Sequence, residues 1–190
     1  MFDMVQILHI IDFEGTRTSG VREYGVVSLV GWEIQYTNFS ICEHGLSEHL
    51  EYFTNLRRVG SFVGHNASVE DRLLRHYAVS PGYVKRTSES DEIVTTWAPW
   101  IDTKVLYKNF FRSFSNFSLK SLIEETRQTS KLYSLSNKVC ELSRVGYHNA
   151  LFDALATGVL LQYFVQTLKS QQLNLSIDAL IEYSKQTKLI

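Results

Sequence analysis

The chain has 190 residues, 44% hydrophobic and 13% aromatic, enough to bury one sizeable core and short enough to favour a single domain. Its 19 basic and 20 acidic residues leave a net charge of -1, which argues against a passive nucleic-acid binder with a basic surface but not against an enzyme whose acidic site takes up metal ions. Two cysteines, Cys42 and Cys140, are too few for a disulfide framework and fit a reducing compartment.

The opening MFDMVQILHIIDFEG carries an acid at Asp3 and no basic leader, so no signal peptide is expected. No apolar stretch is read as approaching the ~20 residues of a membrane span. The longest, Ala154 to Val165, is interrupted by Thr157 and Gln162, and a cytoplasmic protein without membrane partners is expected. Residues 5–13 read as a buried strand, with Ile10, Asp12 and Glu14 on one side and Ile11 and Phe13 on the other. Two like charges side by side near a core need a cation or a solvent-open cleft, and hard oxygen ligands suit a divalent metal. On a wet strand edge the same D-x-E would mean nothing.

Gly15 to Gly20 reads as a turn, and REYGVVSLVGWEIQYTNFSI as two β-rich segments joined near Gly31, which makes a three-stranded meander. Leu46, Leu50, Phe53 and Leu56 recur at helical spacing. In the CEHGLSEHL stretch before and within that helix, Cys42, His44 and His49 are potential soft metal ligands but lack the paired spacing of a zinc site. GSFVGHNA is a short apolar run, followed by the helix SVEDRLLRHYA. That helix places Glu70 on the face of Leu73, Leu74 and Tyr77, whereas Ser68-x-x-Asp71 fits a capping box and gives Asp71 a structural use. Pro81 to Thr96, with TSESDE, reads as a mobile connection.

WAPWIDTKVL reads as extended, with Asp102 and Thr103 capping a following helix. Tyr107, Phe110, Phe111 and Phe114 then fall at helical spacing and read as core rather than as a stacking surface for bases. SLKSLIEET, LFDALATGVLLQYFVQTL and SIDALIEYSKQ read as helices, the last with Ser176 as N-cap. Asp153 lies in the first turns of the second of these, on the face of Ala156, Thr157 and Leu160, with His148 just before it. Each has an ordinary explanation, a helix-start charge and a loop residue. His9, in a strand, and His76, in a helix, read as structural.

Together, IDFEG, GHNASVE and HNALFD resemble the three exonuclease motifs of the DEDD superfamily in its histidine variant, the DnaQ-like 3′-to-5′ exonucleases, over about residues 7–165. His148 and Asp153 match the third motif directly. Asp12 and Glu14 match the first, although Gly15 stands where the family usually has Thr, and Glu23 resembles the acid of the family's following strand. The second motif departs, because ungapped alignment puts Glu70 where the family has Asp, with Asp71 one step late.

The resemblance implies an α/β, ribonuclease H-like three-layer α/β/α domain with a mixed central sheet spanning 1–190, its last part, 166–190, a helical extension. It implies two Mg²⁺ or Mn²⁺ ions held by Asp12, Glu14, Glu70 and Asp153, and His148 as general base. It also implies release of 5′-mononucleotides from a single-stranded DNA or RNA 3′ end, as a stand-alone enzyme, a proofreading partner of a DNA polymerase or a homodimer. Phe13, Gly15 and Asn66 are the expected nucleotide contacts, Asn66 having a helix cap as its other reading. The competing expectation is an inactive binding or scaffold protein on the same fold, supported by the Glu70 departure.

Overall fold

The computed structural model describes residues 7–16, 18–77, 83–86, 91–94 and 97–185, with backbone only for 83–86 and 91–94. The alternating N-terminal segments form an antiparallel meander of β1 (Ile7–Thr16), β2 (Gly20–Val30) and β3 (Glu33–Ile41). Helix α1 (Leu50–Val59) returns the chain so that β4 (Gly60–Gly64) runs parallel to β1. Helix α2 (Ser68–Tyr77) follows. The polar stretch expected to be a mobile connection contains two strands, β5 (Tyr83–Arg86) and β6 (Asp91–Val94), paired antiparallel in a separate small sheet. Strand β7 (Trp100–Asp102) pairs parallel with β4 and completes a mixed sheet of order β3-β2-β1-β4-β7. The remainder is helical: α3 (Thr103–Phe110), α4 (Leu119–Glu125), α5 (Thr129–Val139), α6 (Ala150–Ser170) and α7 (Ile177–Lys185).

The strand period of two sorts side chains onto both faces of the sheet. Ile10, Val27, Val63 and Ile101 face a core shared with α3 to α7, while Ile11, Val26, Phe62 and Trp100 face a second core closed by Phe53 of α1 and Leu74 of α2. Central β1 therefore lies between two helical layers, and a charged side chain can leave the apolar interior only near the strand's end.

Helix α6 is buried on nearly every side, and its 21 residues, with a mean hydropathy of 1.3 over the most apolar stretch, are long and apolar enough to cross a membrane. This corrects the expectation that no segment approaches that length. Since 83% of the stretch is buried among the sheet and neighbouring helices, α6 serves here as a core helix. Its first turn lies so close to β2 that a Cβ on Gly25 would stand 2.4 Å from the carbonyl of Ala150 and the Cα of Leu151.

Helix α3 ends at Phe110, earlier than the aromatic periodicity predicts. Phe111 and Phe114 nonetheless stack, with ring centroids 5.6 Å apart, and Tyr107 stacks on Phe111 at 5.1 Å. The Tyr107 hydroxyl donates to the Leu160 carbonyl at 3.0 Å, which ties this cluster to α6 as core. The expected caps are present. Asp102 accepts from the amides of Lys104 and Val105, and Ser176 accepts from the Ala179 amide at 3.2 Å. Helix α5 has no counterpart in the sequence reading.

Candidate active site

Strand β1 carries Asp12 and Glu14 to its C-terminal end, where pairing with β2 shifts register between Glu14 and Gly15. Gly15 has φ 156°, and a Cβ there would lie 2.2 Å from the Gly20 carbonyl oxygen, so no side chain fits. The difference at Gly15 from the Thr usual in the resembled family thus coincides with a steric limit in this hairpin. Beside the strand end, the first turn of α6 presents Asp153, and the preceding loop presents His148 with φ 66°. The His148 amide donates to Asp153 Oδ2 at 3.0 Å, fixing loop and helix to each other. One ligand atom from each of Glu14, His148 and Asp153 lies within 4.8 Å of the other two.

Glu70 comes from the other helical layer. It is buried, and its Oε2 accepts from the Phe13 amide at 3.1 Å, between the two first-motif acids. Asp71 points elsewhere: its Oδ1 accepts from the Trp97 amide at 2.7 Å and Trp100 Nε1 at 3.0 Å, and its Oδ2 pairs with Arg75 at 2.9 Å. The capping-box reading of Asp71 is corrected accordingly. Its oxygens tether the second core instead of closing the start of α2. The acid that reaches β1 is Glu70.

Burial is the largest influence on each carboxylate of the cluster. It holds Asp12 well above the usual carboxylate range, with Glu70, Asp153, Glu14 and Glu23 adding repulsion. It pushes Glu70 up to about 8, opposed by the Phe13 N–H. Asp153 is pushed up to about 6, again by burial and against the His148 N–H, and Glu14 is raised by burial with His148 acting to lower it. Asp12 Oδ2 and Asp153 Oδ1 are buried and accept no hydrogen bond among the described residues. Two buried acceptors without donors, inside a group of mutually repelling carboxylates, are unfavourable unless protons neutralise them or a metal cation joins them.

The expected nucleotide contacts fare differently. The Phe13 ring is buried edge-on against Phe53, 5.3 Å between centroids, so only its backbone reaches the cleft; the reading of Phe13 as a cleft-lining side chain is corrected. Asn66 has φ 76°, and its amide donates to Asp102 Oδ1 at 3.1 Å while the Ala67 amide donates to Oδ2 at 2.9 Å. Asp102 thus caps α3 and also clamps the loop that leads to Glu70, a role for which its local sequence signals only the first half. Half-buried His65, pushed down to about 4 by desolvation, joins the same loop to Thr103 at 2.9 Å and to the Phe117 carbonyl at 3.0 Å.

Of the other histidines, His9 is buried with Nδ1 2.8 Å from Ser28 Oγ, and His76 sits exposed on α2 against Tyr77. Cys42 is buried with its thiol pushed up to about 11, while His44 is exposed and His49 packs on Tyr24. A cavity of about 450 Å³ lies between α2, β7 and α7, on the side of α2 that carries Asp71 and Arg75, away from the carboxylate cleft.

No family model and no curated protein matches the chain. A solved structure of Exonuclease X in complex with 5′ overhanging duplex DNA superposes with a TM-score of 0.57 at 19% identity, covering 93% of this chain and 99% of that one. The fold is ribonuclease H-like. The three-layer architecture with a mixed central sheet, expected from the motif resemblance, is the one the structure has. Within that ribonuclease H-like frame, the three motif segments, distant in sequence, meet at the end of β1.

Proposed function

We propose that this chain is a metal-dependent exonuclease that releases 5′-mononucleotides from single-stranded DNA or RNA 3′ ends. The observation that carries the reading is the convergence of Asp12, Glu14, Glu70 and Asp153 on one strand end, two of them with unpartnered buried oxygens and with His148 at the edge. The donor set fits Mg²⁺ or Mn²⁺, being all carboxylate oxygen with one imidazole beside it. Asp12, Glu14, Glu70 and Asp153 would hold two such ions. When bound, the ions supply charge stabilisation on the phosphate undergoing in-line displacement.

The remaining chemistry belongs to the chain. His148 is exposed while its backbone is tied to Asp153, so its imidazole can meet water at the cleft and accept a proton from the attacking molecule. The Phe13 amide holds the Glu70 carboxylate toward Asp12 and Glu14, which lets a Glu reach where the family uses Asp. Gly15, next to Glu14, has an unusual φ suited to close approach by a nucleotide, and Asn66, with its own positive φ, is the second proposed contact. The duplex DNA bound to Exonuclease X supports nucleic acid as the substrate class.

The test uses 5′-labelled DNA and RNA oligonucleotides with 3′ overhangs, incubated with Mg²⁺, Mn²⁺ or EDTA. A metal-dependent ladder shortening from the 3′ end is expected, lost in Asp12→Ala, Glu70→Gln and His148→Ala and kept in Asp71→Asn. No degradation of either polymer with any metal would refute the proposal.

A further inference from the structure

Glu23 is the fourth carboxylate near Asp12, yet both of its oxygens are engaged away from the cluster. It stands on β2 directly across from Glu14. Its Oε1 accepts from the Ala150 amide at 2.7 Å, and its Oε2 pairs with the guanidinium of Arg144. That guanidinium in turn lies over the Phe39 ring, 4.5 Å from its centroid. Arg144 and Ala150 are the two ends of one short segment, and between them lies His148.

Within the segment, Val145 and Tyr147 pack on the core, the Tyr147 ring edge-on to Phe152 at 5.1 Å, whereas His148 has no such packing contact among the described residues. The chain before the segment is exposed at Glu141 and Leu142, and His148 is exposed and held at a positive φ that a histidine seldom adopts. Inside the loop, the Asn149 side chain donates to the Gly146 carbonyl at 3.0 Å, and the His148 amide donates to Asp153. Charge-assisted bonds from a single carboxylate to both ends of the loop close it into a ring anchored on the sheet. The anchor on Ala150 also places a negative charge at the N-terminus of α6, where the helix dipole favours it.

We infer that Glu23, with Arg144 stacked on Phe39, is a positioning element that sets the His148 loop over Glu14 and Asp153. This rests on the nuclease reading for its kinetic consequence, though not for its structural one. Two variants test it: Glu23→Ala removes both holds, and Arg144→Met removes the charge but keeps an apolar chain over Phe39.

Amide hydrogen exchange, followed in EDTA, reads the loop directly. Residues 145–150 are expected to exchange roughly tenfold faster in both variants, with β1 and β4 unchanged. On an oligonucleotide that wild type degrades, kcat is expected to fall about tenfold with KM within about twofold, the pattern of a misplaced base rather than a lost grip on substrate. Wild-type exchange in the loop of both variants, a uniform rise across the sheet, or a raised KM at unchanged kcat would each overturn the inference. If wild type degrades nothing, the nuclease proposal fails, and the exchange data still decide whether Glu23 holds the loop.

Discussion

Replacing Glu70 with Gln should make the metal-free protein more stable above neutral pH. The Gln carboxamide oxygen can still accept from the Phe13 amide, so the change keeps that bond and removes the ionisable group from a buried site. The folded chain holds Glu70 near 8 against an ordinary value of 4.5. A raised carboxylate binds its proton more tightly in the folded state, so stability is greatest below 4.5 and declines as pH rises toward 8. Each pH unit in which the unfolded chain ionises and the folded one does not costs about 1.4 kcal/mol, or about 3 kcal/mol by pH 7.

Glu70→Gln escapes that loss and also relieves the repulsion on Asp12. In EDTA at pH 7 its melting temperature should exceed wild type by about 6–12 °C, given ~2–4 °C per kcal/mol for a chain this size. At pH 4.5 the two should coincide. Added Mn²⁺ should close most of the gap at pH 7, because wild type gains about 2.7 kcal/mol at a hundredfold excess over Kd while the variant has lost a ligand. Thermal melts at both pH values, with EDTA and with Mn²⁺, provide the measurement. A variant less stable than wild type at pH 7 in EDTA, or an equal difference at both pH values, would refute the assignment of Glu70 as a destabilised member of the carboxylate cluster.

Gly15→Thr, which installs the residue usual in the resembled family, should destabilise the protein by about 1–3 kcal/mol in urea melts, because the new Cβ meets the Gly20 carbonyl. Gly25→Ala should cost at least as much by forcing α6 off β2, and any nuclease activity should fall with it. Asp102→Ala leaves the amides of Asn66, Ala67, Lys104 and Val105 without their acceptor, so a loss of about 2–4 kcal/mol is expected, with faster amide exchange at residues 65–67. Asp71→Asn keeps the acceptor for Trp97 and Trp100 and loses only the partly exposed pair with Arg75, so its melting temperature should stay within about 3 °C of wild type.

β1 and β2 were legible as short apolar runs bounded by turn residues, the helix carrying Glu70 by its spacing near 3.6, and the helix carrying Asp153 as one long apolar run. The candidate site was read as three short motifs, and the preference for Glu70 over Asp71 rested on helical spacing and on ungapped alignment to the second motif. What escaped the sequence depends on partners far along the chain. Asp71 looked like a local cap because its real partners, Trp97 and Trp100, lie 26 and 29 residues further on. Glu23 looked like one more acid, its donors being 121 and 127 residues away. Phe13 was placed in the cleft by its neighbours in sequence, whereas alternation along β1 sends its ring to the opposite face. Helix α5 escaped because its buried set is small, Leu132 and Ser136, leaving a faint apolar stripe.

Helix α6 has a consequence for how the chain reaches this state. Before the sheet assembles, those 21 residues are an apolar segment with nowhere to go except another greasy surface, and their resting place on β1 and β2 is over a hundred residues upstream. The N-terminal meander must already offer its face when α6 is made, and the bare patch at Gly25 must be open to receive the first turn. Substitutions along that contact would therefore lower the soluble yield from cells, through chaperone retention and aggregation, even where the molecules that do fold remain competent.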